Sequence, residues 1–93
     1  MGSRSRYNKL KILFDWQDGR CCYCRKECRM LPYGAHRGKS SKADYATLEH
    51  LALRSDGGKD EMGNLAMACR ECNAGRGTVD WLTYTAYKRG EIE

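Results

Sequence analysis

In RYNKLKILFDWQ, residues 6–17, the apolar side chains of Tyr7, Leu10, Leu13 and Phe14 recur at the spacing of one helical face, so a helix is expected there. Asp18-Gly19 is expected to end it in a turn. The next clear pattern is Ala46–Leu51, ATLEHL, a short apolar-rich run with β-branched Thr47, which predicts a strand. RSDGGKD, residues 54–60, has the Asp-Gly and Gly-Gly pairs of a turn, and Asn64–Ala68, NLAMA, predicts a returning strand. A cysteine-containing knuckle over Cys69–Gly77 is expected to lead into a short helix. VDWLTYTAYK, residues 79–88, places Val79, Leu82 and Ala86 on one face, with Gly90 where a helix would stop. Trp16 and Trp81 are expected to pack these terminal helices. Between the first helix and the first strand lie CCYCRKEC, a first knuckle, and LPYGAHRGKSSKADY, a basic loop with the only proline; His36 in it has no motif partner. The outline is helix, knuckle, loop, strand, turn, strand, knuckle, helix, an α+β order.

Ninety-three residues read as a single domain over 1–93. A chain of this size buries only about 60–65% of its unfolded surface, so its apolar core is marginal and a metal or disulfides would reinforce it. No apolar run approaches the roughly 20 residues of a membrane helix. The basic N-terminal residues are not followed by an apolar stretch, so no signal peptide is expected. The expected setting is soluble and cytoplasmic, where thiols stay reduced and paired cysteines more often hold metal.

Six cysteines then become informative. Cys21-x-x-Cys24 and Cys69-x-x-Cys72 are two pairs in which one tight turn can aim both sulfurs at a single tetrahedral ion. Together they complete a shell of four thiolates with no open position, so the zinc they would bind is structural. Such binding contributes ~10–16 kcal/mol in zinc-finger peptides, more than a marginal core supplies. Two disulfides or unlinked thiols are the alternative. Cys22 and Cys28 are left over, and Cys22-x-Cys24 competes with Cys21 for the ligand role, although the two-residue spacing favours Cys21.

Charge adds a partner class. The net charge is +5, with the excess of Lys and Arg in residues 1–44 and an excess of Asp and Glu in residues 45–64. A basic first half beside an acidic middle suits a polyanion surface around a metal site; a solvated, solubilising face has the same composition.

The run TLEHLALRSDGGKDEMGNLAMACRECNAGRG, with DGRCCYC upstream, resembles the HNH endonuclease signature: an acid-His pair, a Gly-rich turn, Asn-Leu before an apolar strand, and Cys-x-x-Cys-Asn followed by a basic residue and Gly. The likeness spans about residues 18–77. It implies a small ββα-metal, treble-clef-like domain with a four-cysteine zinc site, flanked here by the terminal helices. By the same resemblance His50 would be the general base, Glu49 and Asn73 would hold a catalytic divalent ion, and Asn64 would brace the loop that orients His50. One carboxylate, one amide oxygen, phosphate and water suit Mg²⁺ or Mn²⁺ rather than zinc. Glu49 and His50 point to opposite faces of a strand, so they serve one centre only where the strand ends or a phosphate lies between them. Arg54, Arg70 and Arg76 are candidate phosphate contacts, Arg76 because the family pattern has a basic residue there. The chain departs from the common pattern in having Glu49 for Asp, Ala52 for a proline, and Asn73 where the founding motif has His.

The function so implied is metal-dependent hydrolysis of phosphodiesters in nucleic acid, with double-stranded DNA the expected partner and 5′-phosphate and 3′-hydroxyl ends the products. Two other functions fit much of the pattern: a non-catalytic zinc module that binds nucleic acid, and an accessory subunit active only in a larger assembly such as a phage packaging or restriction complex. The binding module has no use for Glu49, His50, Asn64 and Asn73 together. The sequence leaves open whether a homodimer or a partner protein completes the site.

Overall fold

The computed structural model describes residues 2–32 and 42–90, so His36 and most of the basic loop lie outside the described residues. The element order is helix α1 (Gly2–Trp16), strand β1 (Ala46–His50), strand β2 (Leu65–Cys69), helix α2 (Arg70–Arg76) and helix α3 (Trp81–Lys88), with two short 3-10 turns, Arg54–Asp56 and Met62–Asn64, between the strands. This is an α+β fold with the expected strand–strand–helix order at its centre.

The expected turn after α1 takes a definite form. Asp18 and Gly19 both adopt positive φ, Gly19 N–H reaches back to the Phe14 carbonyl at 2.8 Å, and Asp18 N–H to that of Asp15 at 3.2 Å. These bonds satisfy carbonyls that a helix end leaves open. The helix then buries Leu10 and Leu13 against Ala46, Leu65 and Met67 of the hairpin, with Phe14 and Leu48 at the margin. Gln17, just past α1, fixes the docking: its amide oxygen accepts from Met67 N–H and its Nε2 donates to the Met67 carbonyl, both at 2.8 Å. A side-chain amide thus completes the free edge of β2.

β1 and β2 pair antiparallel from Ala46↔Cys69 to His50↔Leu65. Alternation along β1 sends Ala46 and Leu48 toward α1. Thr47 and Glu49 face α2, where they meet Asn73 and Arg76. All five residues of β2 are buried because helices cover both faces of the hairpin.

Helix α3 starts two residues later than the pattern predicts, because the Asp80 carboxylate caps it by accepting from Leu82 and Thr83 N–H at 3.1 and 3.2 Å. Its buried face is not the expected one. Val79 and Leu82 are exposed, and Tyr84 is the residue that enters the core, with Trp81 alongside. Tyr84 meets Tyr23 edge-on at a centroid distance of 4.9 Å, so the helix docks on the first knuckle through aromatic rings. Trp16 is also exposed, at 70%, and does not pack its helix. Among the described residues no helix is long and apolar enough to cross a membrane.

Candidate functional site

The first knuckle is a turn closed by Arg25 N–H to the Cys21 carbonyl at 3.1 Å and Cys21 N–H to the Lys26 carbonyl at 2.9 Å. The second is the N-terminus of α2, where Cys69 is the cap residue. In each a backbone N–H points at a sulfur: Tyr23 at Cys21 Sγ (3.3 Å) and Cys72 at Cys69 Sγ (3.4 Å). The sulfurs of Cys21, Cys24, Cys69 and Cys72 all lie within 4.8 Å of one another, and Cys24 and Cys69 are 3.9 Å apart. A tetrahedral zinc with Zn–S bonds of ~2.3 Å sets its sulfurs about 3.8 Å apart, so the geometry fits that ion. None of the six cysteines is in a disulfide, and it is Cys21, not Cys22, whose sulfur lies with the other three. Without a cation the thiols of Cys21, Cys69 and Cys72 titrate against one another. A hydrogen bond from Cys22 holds Cys21 down at about 4, while burial, and then repulsion from Cys21, push Cys69 up to about 11 and Cys72 higher still. A divalent ion removes that conflict by favouring four thiolates at once.

On the hairpin, β1 ends at His50 and the chain enters the loop that leads to β2. The two strands stay joined one step further by Leu51 N–H to the Asn64 carbonyl at 2.9 Å. Asn64 then uses its side chain on the loop: Oδ1 accepts from Ala52 N–H at 2.8 Å, and Nδ2 donates to the carbonyls of Ala52 (3.1 Å) and Lys59 (3.0 Å). Gly58 makes the loop close on itself, because a Cβ there would lie 1.8 Å from the Ala52 carbonyl oxygen. The His50 ring, 13% exposed, is hydrogen-bonded through Nε2 to Asp60 Oδ1, and Asp60 Oδ2 accepts from Arg54 Nη2 at 2.8 Å.

On the opposite face of β1 is a buried polar cluster. Glu49, 4% exposed, accepts at Oε2 from the Tyr23 hydroxyl (2.6 Å) and from Arg76 Nη1 (3.1 Å), and at Oε1 from His50 N–H (3.1 Å). Arg76, 3% exposed, also donates to the carbonyls of His50 (2.7 Å), Leu51 (2.8 Å) and Val79 (2.6 Å). Burial, reinforced by the hydrogen bond to Glu49, raises the Tyr23 hydroxyl above its usual range and keeps it a donor. Asn73, on the first turns of α2, donates from Nδ2 to Thr47 Oγ1 (3.0 Å) and to the Leu48 carbonyl (3.1 Å).

The family model for HNH endonucleases matches residues 21–78, the stretch from the first knuckle through the hairpin and α2. The chain belongs to the HNH endonuclease family. No curated protein matches the sequence.

Within this HNH domain the residues singled out from the sequence fall into two groups on either side of β1. His50 and Asn64 lie with the loop; Glu49, Asn73 and Arg76 lie between β1 and α2. Arg76, expected as a phosphate contact, is corrected by its burial: its guanidinium is surrounded by Glu49, Tyr23 and three carbonyls and is closed to solvent. Arg54 is paired with Asp60, although its side chain is 64% exposed, and Arg70 is exposed at the start of α2.

For a catalytic Mg²⁺ or Mn²⁺ the two expected donors differ. Asn73 commits only its nitrogen, and among the described residues its amide oxygen takes no hydrogen bond. Glu49 is buried, its Oε1 accepting from His50 N–H and its Oε2 from the Tyr23 hydroxyl and from its ion partner Arg76. Giving up that partner would leave a buried guanidinium unpaired, at a cost of about 3–5 kcal/mol. Among the described residues, then, Asn73 keeps an amide oxygen without a hydrogen bond, whereas both oxygens of Glu49 already have protein partners.

Tyr23, Asp60 and Gln17 were not legible as functional positions. Tyr23 sits inside a Cys-x-x-Cys pair, where the spacing speaks only of the ligands. Asp60 reads as a turn residue. An acid in β1 and the basic residue that ends the α2 motif were the one available signal for the Glu49–Arg76 pair.

Proposed function

We propose that this chain is a nuclease that hydrolyses phosphodiester bonds in DNA, with the imidazole of His50 as the general base that takes the proton of the attacking water. What carries this reading is the way the backbone beside His50 is held. Arg76 grips the carbonyls of His50 and Leu51, and Asn64 grips both backbone groups of Ala52. A strand end fixed from two sides holds its side chain in a constant place, which a reacting group requires and a surface histidine does not.

The steps belonging to this chain follow. Arg54 and Arg70 would bind phosphate oxygens and set the backbone of the nucleic acid beside the hairpin. His50 would accept a proton from water as the water oxygen attacks phosphorus; the bond to the 3′ oxygen would break, and that oxygen would take a proton from solvent water, leaving 3′-hydroxyl and 5′-phosphate ends. Asn73 would offer its amide oxygen to a divalent ion; such an ion, when bound, supplies stabilisation of the charge that gathers on the phosphate. Glu49 serves in this scheme as the counter-ion that keeps Arg76 buried against the His50 carbonyl.

The test is supercoiled plasmid incubated with zinc-loaded protein in chelator-free buffer, with and without added Mg²⁺ or Mn²⁺. Nicked or linear product that depends on the added ion is the expected result. Retarded but intact plasmid under every condition would instead mark a non-catalytic binding module. Parallel reactions on single-stranded DNA and RNA decide the substrate.

A further inference from the structure

Imidazole has two nitrogens, and a neutral ring can accept a proton only at the one without hydrogen. Which nitrogen that is depends on the partner of the other. Asn64 does not supply that partner, because its side chain bonds the backbone of Ala52 and Lys59 rather than the ring. The group on the ring is the Asp60 carboxylate, at Nε2.

We infer that Asp60 is a positioning residue for His50: its carboxylate holds the ring in the Nε2–H tautomer, so that the lone pair that takes the proton from water is on Nδ1. The inference rests on the proposed role of His50 as base. Asp60 is itself placed from several directions. Arg54 Nη2 donates to its second oxygen at 2.8 Å, and Lys9 Nζ, from α1, donates to its backbone carbonyl at 2.7 Å. The neighbouring Lys59 carbonyl is tied to Asn64, and Gly58 packs on the Ala52 carbonyl. The His50 hydrogen bond, aided by the Arg54 contact, keeps the Asp60 carboxyl below the usual carboxylate range. An ionised carboxylate only accepts, so the shared hydrogen is on Nε2. The same negative charge lies beside the ring when it becomes an imidazolium, and it stabilises that ion during the reaction.

Arg54 makes the inference sharply testable. A guanidinium only donates, so in Asp60→Asn the amide oxygen must face Arg54 and the NH₂ must face His50. Nε2 would then have to accept, and the proton would move to Nδ1.

The experiment is long-range ¹H–¹⁵N NMR of the imidazoles, at mildly alkaline pH, on zinc-loaded full-length protein carrying His36→Gln. The chain has two histidines, so His50 is then the only one observed. The same preparations are assayed on plasmid. Expected are an Nε2–H ring in the parent and an Nδ1–H ring in Asp60→Asn, with kcat lower by about 10²–10⁴-fold. KM, zinc content and Tm should stay close to parent values.

The parent spectrum needs neither substrate nor a folded variant. A parent ring that is Nδ1–H, or a mixture, overturns the assignment even if the protein cuts DNA. So does an Asp60→Asn protein with parental kcat. An Nε2–H ring in a protein that cuts no nucleic acid overturns the nuclease reading instead and leaves the hold of Asp60 on the ring intact.

Discussion

Arg76 Nη1 donates to the carbonyl oxygen of His50 at 2.7 Å from a guanidinium that is itself buried and paired with Glu49 at 3.1 Å. The acid next to the candidate base therefore holds it in two ways, directly at the His50 N–H and through an arginine at the His50 carbonyl. Its carboxylate keeps the cation inside the protein, and the cation fixes the strand end from which the imidazole projects.

Glu49→Gln separates this role from that of an ion ligand. The substitution keeps the volume and leaves Arg76 buried without its counter-charge, a loss of about 3–5 kcal/mol. For a domain of this size that lowers Tm by roughly 12–40 °C. Calorimetry should show the fall, while the Mg²⁺ concentration for half-maximal cleavage, measured well below Tm, stays unchanged. A raised Mg²⁺ requirement with parental Tm would return Glu49 to the ion.

Removing the structural metal should unfold the protein. The two knuckles that the four sulfurs join are 45 residues apart in sequence at Cys24 and Cys69. The core between them is small: Tyr23, Ala68 and Tyr84 beside the cysteines. A contribution of ~10–16 kcal/mol from the ion matches or exceeds the ~5–15 kcal/mol by which whole domains are stable. Stripping zinc at neutral pH, or Cys72→Ser, is expected to abolish the cooperative melting transition, read by circular dichroism, and metal analysis should find one zinc per chain before stripping. A chelated protein that melts as before would refute the structural role.

Asn64→Ala should harm activity more than stability. It deletes three hydrogen bonds, all to backbone groups of the loop between the strands, and leaves the hairpin ladder in place. The stability loss is expected near 1–3 kcal/mol, since the freed groups are partly solvated. The kcat should fall at least tenfold as the loop that carries Asp60 loosens. Gly58→Ala should reproduce the activity loss, because the added carbon collides with the Ala52 carbonyl oxygen at 1.8 Å and must displace the same loop.

Arg70→Ala tests the phosphate surface. Binding to DNA should fall with salt, and losing one phosphate contact should lower the slope of log K against log salt by about one. Fluorescence anisotropy across a salt series gives that slope; an unchanged slope would remove Arg70 from the interface.

Much of the fold was legible because it rests on local signals. Cys-x-x-Cys spacing gave the four thiols, alternation and turn residues gave the hairpin, and Leu10 and Leu13 marked the buried face of α1. The contacts that shape the candidate site are not local. Glu49 and Arg76 are 27 residues apart, Tyr23 and Arg76 are 53 apart, and nothing in their neighbours says that all three are buried together. The face of α3 was misread for a related reason. In eight residues the apolar period is weakly defined, and Tyr84 wins the buried position because Tyr23 offers a ring to pack against, while Leu82 remains 61% exposed. Asp60 reads as a turn former and meets His50 only because the two 3-10 turns fold the loop back on the strand end.

The most direct measurement is plasmid cleavage by His50→Ala, prepared with its zinc in place and compared with the parent protein at equal DNA occupancy. The expected result is loss of cutting by about 10²–10⁴-fold with zinc content, Tm and DNA affinity retained. Cutting at the parental rate would contradict His50 as the base.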